Sequence, residues 1–124
     1  MGKFRILIVE DNGFFRQTLK ESLQTSFPDV AIDEAKNGVE AWQRVEASYP
    51  DLILMDLRLP GESGLKLTQR IKAAYPNIII FILTSYDTPE CRETALRCGA
   101  DRFVAKDSIN PKRLEELVRS YYRI

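Results

Sequence analysis

The chain has 124 residues, 44% of them hydrophobic and 29% charged, the size and balance of one globular domain that buries roughly two-thirds of its unfolded surface without needing disulfides or a structural metal. Eighteen basic residues cancel eighteen acidic ones, which argues against direct contact with nucleic acid, and the absence of histidine excludes Ser-His-Asp hydrolysis, histidine zinc sites and any role as a phosphohistidine donor. The longest apolar run, Ile78 to Leu83, falls far short of the roughly 20 residues of a membrane span, and no signal-peptide pattern opens the chain, so a cytoplasmic protein without a membrane partner is expected.

The run Arg5 to Val9 predicts a first strand, and the helical period after it ends at Phe27-Pro28-Asp29. Val30 to Ala35 predicts the second strand. Asn37 with Glu40 resembles a capping box for the second helix, which leaves at Tyr49-Pro50-Asp51. Leu52 to Met55 predicts the third strand, and the following helix leaves at Tyr75-Pro76-Asn77. Proline cannot continue a helix and pushes its predecessor toward extended geometry, so the three aromatic-proline pairs punctuate successive units. Ile78 to Leu83 predicts the fourth strand. Thr88 before Pro89 caps the fourth helix, Gly99 stops it, Phe103 to Ala105 predicts the fifth strand, and Asn110 before Pro111 caps a final helix. Cys91 and Cys98 lie seven residues apart on the fourth helix, so their Cα atoms stand about 10 Å apart, beyond disulfide reach.

Five alternating units of this kind predict an α/β fold: a doubly wound, five-stranded parallel sheet with five helices. The second and fifth strands are the least apolar, which suits the edges of a sheet of order 2-1-3-4-5 with the other three strands buried on both faces. The chain is expected to form a single domain over residues 1–124.

Four strands end in polar residues that their apolar runs do not explain: Glu10 and Asp11, Asp56, Thr84, and Lys106. Ligands of open α/β sheets bind beyond these carboxyl ends. Neighbouring strands lie about 4.8 Å apart, which brings Asp11 and Asp56 within about one strand spacing. Two unit charges about 5 Å apart repel by roughly 3 kcal/mol at an effective dielectric of 20, so such a cluster calls for cations. Lys106 and a divalent metal would supply them, and an oxygen-only donor set suits Mg²⁺. A metal beside a carboxylate, with Thr84 as donor and Lys106 as counter-charge, suits phosphoryl transfer onto Asp56 as nucleophile. Taken singly, each of these residues is an ordinary cap, strand-end hydroxyl or surface charge. Their appearance together on separate strand ends is what points to chemistry.

The segment Ile6 to Asp11 (ILIVED), the segment Leu52 to Gly64 (LILMDLRLPGESG) with Pro60 and Gly64 spaced from Asp56, the run Ile82-Leu83-Thr84-Ser85, and Phe103 to Lys106 (FVAK) together resemble the receiver domain of bacterial response regulators, from Arg5 to the last helix. The resemblance implies a flavodoxin-like fold and a role in two-component signalling. It implies that Asp11, Asp56 and the backbone carbonyl of Arg58 bind Mg²⁺, with Glu10 helping through water. Asp56 would take the phosphoryl group, Thr84 and Lys106 would grip its oxygens, and Phe103 would turn inward as Thr84 moves. The readout face would be helix four, strand five and helix five. The implied partners are a sensor histidine kinase or histidine phosphotransfer protein, an output domain or effector protein, and a second copy of the chain in a phosphorylation-dependent dimer.

Two departures from the family pattern stand out. Asp107 follows Lys106 where the family often has proline in a cis bond. A non-proline cis bond costs roughly 3 kcal/mol, so a trans bond and an altered loop are expected. The switch aromatic is Phe103, without a hydroxyl. Arg58 and Tyr86, two residues beyond Asp56 and Thr84, are expected to limit water access and set the lifetime of the phosphorylated state. Tyr121, Tyr122 and Arg123 fit either a partner surface or an amphipathic terminal helix. The alternatives are a pseudo-receiver that signals by binding alone, and an aspartyl-nucleophile phosphatase. The second lacks an Asp two residues past the nucleophile, where Arg58 stands.

Overall fold

A computed structural model of the chain describes residues 3–85, 88–108 and 110–122, and structural statements refer to these. Five parallel strands form the sheet: β1 (Arg5–Val9), β2 (Ala31–Ala35), β3 (Leu52–Asp56), β4 (Ile79–Thr84) and β5 (Arg102–Ala105). Their order is β2-β1-β3-β4-β5, as the apolarity ranking requires. Every residue of β3 is buried, whereas the edge strands β2 and β5 are mostly half-buried. The helices are α1 (Gly13–Ser26), α2 (Gly38–Ser48), α3 (Gly64–Ala74), α4 (Pro89–Arg97) and α5 (Pro111–Arg119). Among the described residues, no helix is long and apolar enough to cross a membrane.

The pleat divides the core into two layers. Leu7, Val9, Ile53, Met55, Ile80 and Ile82 point toward α2, α3 and α4. Ile6, Ile8, Leu52, Leu54, Phe81 and Leu83 point toward α1 and α5. Tyr121 and Tyr122 come after the end of α5 and pack inward: Tyr121 lies 5.3 Å from Phe81 and Tyr122 stacks 4.9 Å from Phe4. Arg123 lies outside the described residues.

The three aromatic-proline exits hold, with Phe27, Tyr49 and Tyr75 as the C-caps of α1, α2 and α3. They also explain why two strands begin one residue later than their apolar runs. The Val30 N–H donates to the Phe27 carbonyl (3.1 Å) and the Ile78 N–H to the Tyr75 carbonyl (3.2 Å), so both are spent on the turn rather than on the sheet. Thr88 and Asn110 cap α4 and α5 as expected. Gly99 adopts φ +102 just past the C-cap Cys98. Asn37 accepts from the Glu40 N–H (2.8 Å), but the Glu40 carboxylate reaches back to the N–H of Lys36 rather than to that of Asn37 (3.0 Å). Cys91 and Cys98 are free thiols.

A two-stranded antiparallel ribbon, residues 58–59 with 62–63, follows β3. Its turn is Pro60-Gly61, with Gly61 at φ +81, the pairing of proline then left-handed glycine that a type II turn demands. The ribbon returns the chain so closely that a Cβ at Gly64 would collide with the backbone carbonyl oxygen of Asp56. Past β5, residues Lys106–Ser108 wind into a single 3₁₀ turn with a trans Lys106–Asp107 bond, so the loop lacks the cis geometry that proline would favour.

Candidate functional site

The sheet register places the polar strand ends at one rim. Val9 pairs with Met55, so Glu10 emerges level with Asp56, and Asp56 pairs with Leu83, which pairs with Val104. Thr84 and Lys106 follow within two residues. One carboxylate oxygen from each of Glu10, Asp11 and Asp56 lies within 4.8 Å of the other two. Glu10 is 3% exposed and Asp56 8%, while Asp11 opens to solvent.

One ammonium serves this cluster. Lys106 Nζ lies 2.5 Å from Glu10 Oε1 and 3.4 Å from Asp56 Oδ1. It also sits 4.6 Å from the centroid of the Phe15 ring, whose face favours a cation. The other Glu10 oxygen, Oε2, accepts from the Asn12 N–H at 3.0 Å. Burial, then the neighbouring Glu10 carboxylate, push the Asp56 carboxyl up to about 6, against the pull of Lys106 and the Arg58 backbone N–H. Negative charge thus exceeds what the local cation satisfies. Oxygen donors with that excess fit a hard divalent ion such as Mg²⁺, which Glu10, Asp11 and Asp56 could hold.

The rim therefore brings together Glu10, Asp11, Asp56 and Lys106, with the Arg58 backbone beside Asp56 and the Arg58 side chain exposed. Thr84 is fully buried at the end of β4, next to Ala105. Phe103 sits on β5, three residues before Lys106. It is half-buried against the α2, α3 and α4 layer, with the Arg92 guanidinium carbon 5.0 Å from its ring centroid. Tyr86 lies outside the described residues. Three neighbours carry no role in the sequence reading: Asn12, Phe15, and Arg16, whose Nη1 donates to the Glu10 carbonyl at 2.7 Å. Asn12 was findable as an Asn just before a helical stretch, and it caps α1 by accepting from the Phe15 N–H. Nothing in the local pattern marks Phe15 or Arg16.

A doubly wound sheet with carboxylates and a lysine clustered beyond its strand ends defines a class of binding proteins whose ligands are cations and anionic groups. Comparison with known proteins narrows the class: residues 6–119 match the response regulator receiver domain, and the chain belongs to that family. It is 34% identical over 113 residues to the chemotaxis protein CheY of Halobacterium salinarum, covering 91% of this chain and 92% of that protein. It is 37% identical over 120 residues to the oxygen regulatory protein NreC of Staphylococcus carnosus, covering 96% of this chain but 55% of NreC, so it spans about half the length of that relative. Among solved structures, the signal receiver domain of a DNA binding response regulator from Colwellia psychrerythraea 34H superposes with a TM-score of 0.90 at 30% identity, over 95% of this chain and 97% of that one.

Proposed function

We propose that this receiver domain accepts a phosphoryl group on Asp56 and passes the resulting change to an output partner. The observation that carries the reading is the buried Asp56 carboxylate, set within 4.8 Å of two further carboxylates and 3.4 Å from Lys106, in a chain of the receiver family. In the transfer, an Asp56 carboxylate oxygen forms a bond to phosphorus as the bond to the donor's leaving group breaks. That group is the imidazole of a phosphohistidine, which departs with the bonding electron pair and takes up a proton, leaving an acyl phosphate on Asp56. A bound Mg²⁺ supplies charge neutralisation for the phosphoryl oxygens. Glu10, Asp11, Asp56 and the Arg58 carbonyl are the residues to hold it. Lys106 exchanges part of its attraction to Glu10 and Asp56 for the incoming oxygens, and Thr84 donates its hydroxyl to another.

The donor is a sensor histidine kinase or a histidine phosphotransfer protein, since the chain has no histidine of its own. The face formed by α4, β5 and α5 then changes, with Phe103 as its aromatic and its recognition apolar. Output passes to another domain or protein, or to a second copy of the chain, because the balanced charge gives this chain no excess of basic residues for DNA. Arg58 stands at the mouth of the site and, with Tyr86, sets the lifetime of the acyl phosphate. Unchanged dephosphorylation rates in Arg58→Ala and Tyr86→Ala would remove that assignment.

The test is intact-protein mass after incubation with Mg²⁺ and acetyl phosphate, comparing wild type with Asp56→Asn. A labile adduct of one phosphoryl group on wild type alone is expected. No adduct on a folded wild type at any Mg²⁺ concentration would leave a pseudo-receiver that acts by binding.

A further inference from the structure

Arg16, on the first full turn of α1, spans two elements. Its Nη1 donates to the backbone carbonyl of Glu10 at 2.7 Å, and its Nε donates to Glu34 Oε1 at 3.0 Å. Glu34 lies on β2, and its second oxygen, Oε2, accepts from Lys20 Nζ at 3.1 Å. Burial works against ionisation of Glu34, but Lys20 and Arg16 outweigh it and hold the carboxyl below its usual range, so it stays charged. The same turn is gripped from the other side, where the Glu10 N–H donates to the Ala35 carbonyl at 3.0 Å. Glu10 is therefore fixed through both of its backbone polar groups before its side chain meets Lys106 or the Asn12 N–H.

We propose that Arg16 is a positioning residue for the acidic rim: by bonding the Glu10 carbonyl and Glu34 at once, it fixes the turn that presents Glu10 and Asp11 to a divalent cation. The inference rests on the reading of that rim as a cation site. A guanidinium suits the task because its planar fork reaches two acceptors in fixed directions, which one ammonium does with less geometric control. Its charge would oppose a cation nearby, and Glu34 offsets it. Lys20 touches Glu34 but is not a partner of Glu10, so the two basic residues separate a role in the site from a role in the fold.

The experiment is calorimetric titration of the full chain with MgCl₂, without any phosphodonor, on wild type, Arg16→Met, Arg16→Lys, Glu34→Gln and Lys20→Met, alongside urea unfolding of each without Mg²⁺. Loss of a partner that orients a ligand typically weakens metal binding at least about tenfold. Arg16→Met is expected to bind Mg²⁺ about tenfold more weakly. Arg16→Lys should recover part of that loss, Glu34→Gln should fall between, and Lys20→Met should bind as wild type does. If Arg16→Met does not fold, the comparison of Arg16→Lys with Lys20→Met carries the test. Equal Mg²⁺ affinity in wild type and the Arg16 variants would overturn the proposal while leaving the cation site standing. Equal weakening in Lys20→Met would also overturn it, reducing Arg16 to a fold contact. No Mg²⁺ binding by wild type would overturn the cation reading and this inference with it.

Discussion

The two rims of the sheet use the same residue types to opposite ends. At the rim where the strands begin, Asp101 and Asp51 are matched: Asp101 Oδ2 accepts from Lys72 Nζ (3.0 Å) and from the Ile80 N–H (2.9 Å), and Asp51 Oδ2 accepts from the Arg5 N–H (2.8 Å). Lys72 also donates to the Ile78 carbonyl at 2.8 Å, which ties α3 to the approach of β4. At the opposite rim three carboxylates cluster, two of them, Glu10 and Asp56, share Lys106, and Asp56 is pushed up to about 6. One rim is closed by its own contacts. The other holds an excess of negative charge that a ligand can relieve, which is the physical meaning of a site as distinct from a brace.

Removing a partner at the closed rim gives the largest stability effect. Lys72→Met strands a partly buried carboxylate and should cost about 2 kcal/mol in urea unfolding at pH 7, a deficit of the same size with and without Mg²⁺. Dependence of that deficit on Mg²⁺ would blur the distinction between the rims. At the open rim the sign reverses. Asp56 titrates near 6 folded and near 3.8 unfolded, so the folded chain holds its proton more tightly and loses stability as pH rises from about 4 through 6. Asp56→Asn should therefore raise metal-free stability at pH 7 by about 1–2 kcal/mol, with the gain vanishing near pH 4. A loss at pH 7 would place Asp56 among the braces. The smallest effect is that of the ligand: Mg²⁺ at ten times its dissociation constant should stabilise wild type by about 1.4 kcal/mol. At pH 5 the shift at the same concentration should shrink, because Asp56 is then largely protonated.

Much of this was legible in the chain because the signals were local or periodic. The strand order followed from which runs were least apolar, and helix ends from proline after an aromatic residue or glycine. The polar residues closing the runs named Glu10, Asp11, Asp56, Thr84 and Lys106. The ribbon at residues 58–63 escaped because two-residue strands are shorter than any repeat, although Pro60-Gly61 signalled the turn. Arg16 escaped for a different reason. Its partners are a backbone carbonyl six residues back and a side chain 18 residues ahead, and only the pairing of β1 with β2 brings them together. The facing of Phe103 was also hidden: it packs against the layer of α2, α3 and α4 while its neighbour Val104 packs against the layer of α1 and α5, which depends on strand alternation rather than on residue type.

The close approach of Gly64 to the Asp56 carbonyl constrains how such a chain can change over generations. Buried apolar positions in general tolerate exchange for residues of similar volume. Position 64 offers no such freedom, since even one methyl group needs the space already taken by a peptide oxygen. A lineage that loses this glycine must rebuild the whole path from Leu57 to the start of α3, so the length and course of that path should drift as a block, not letter by letter.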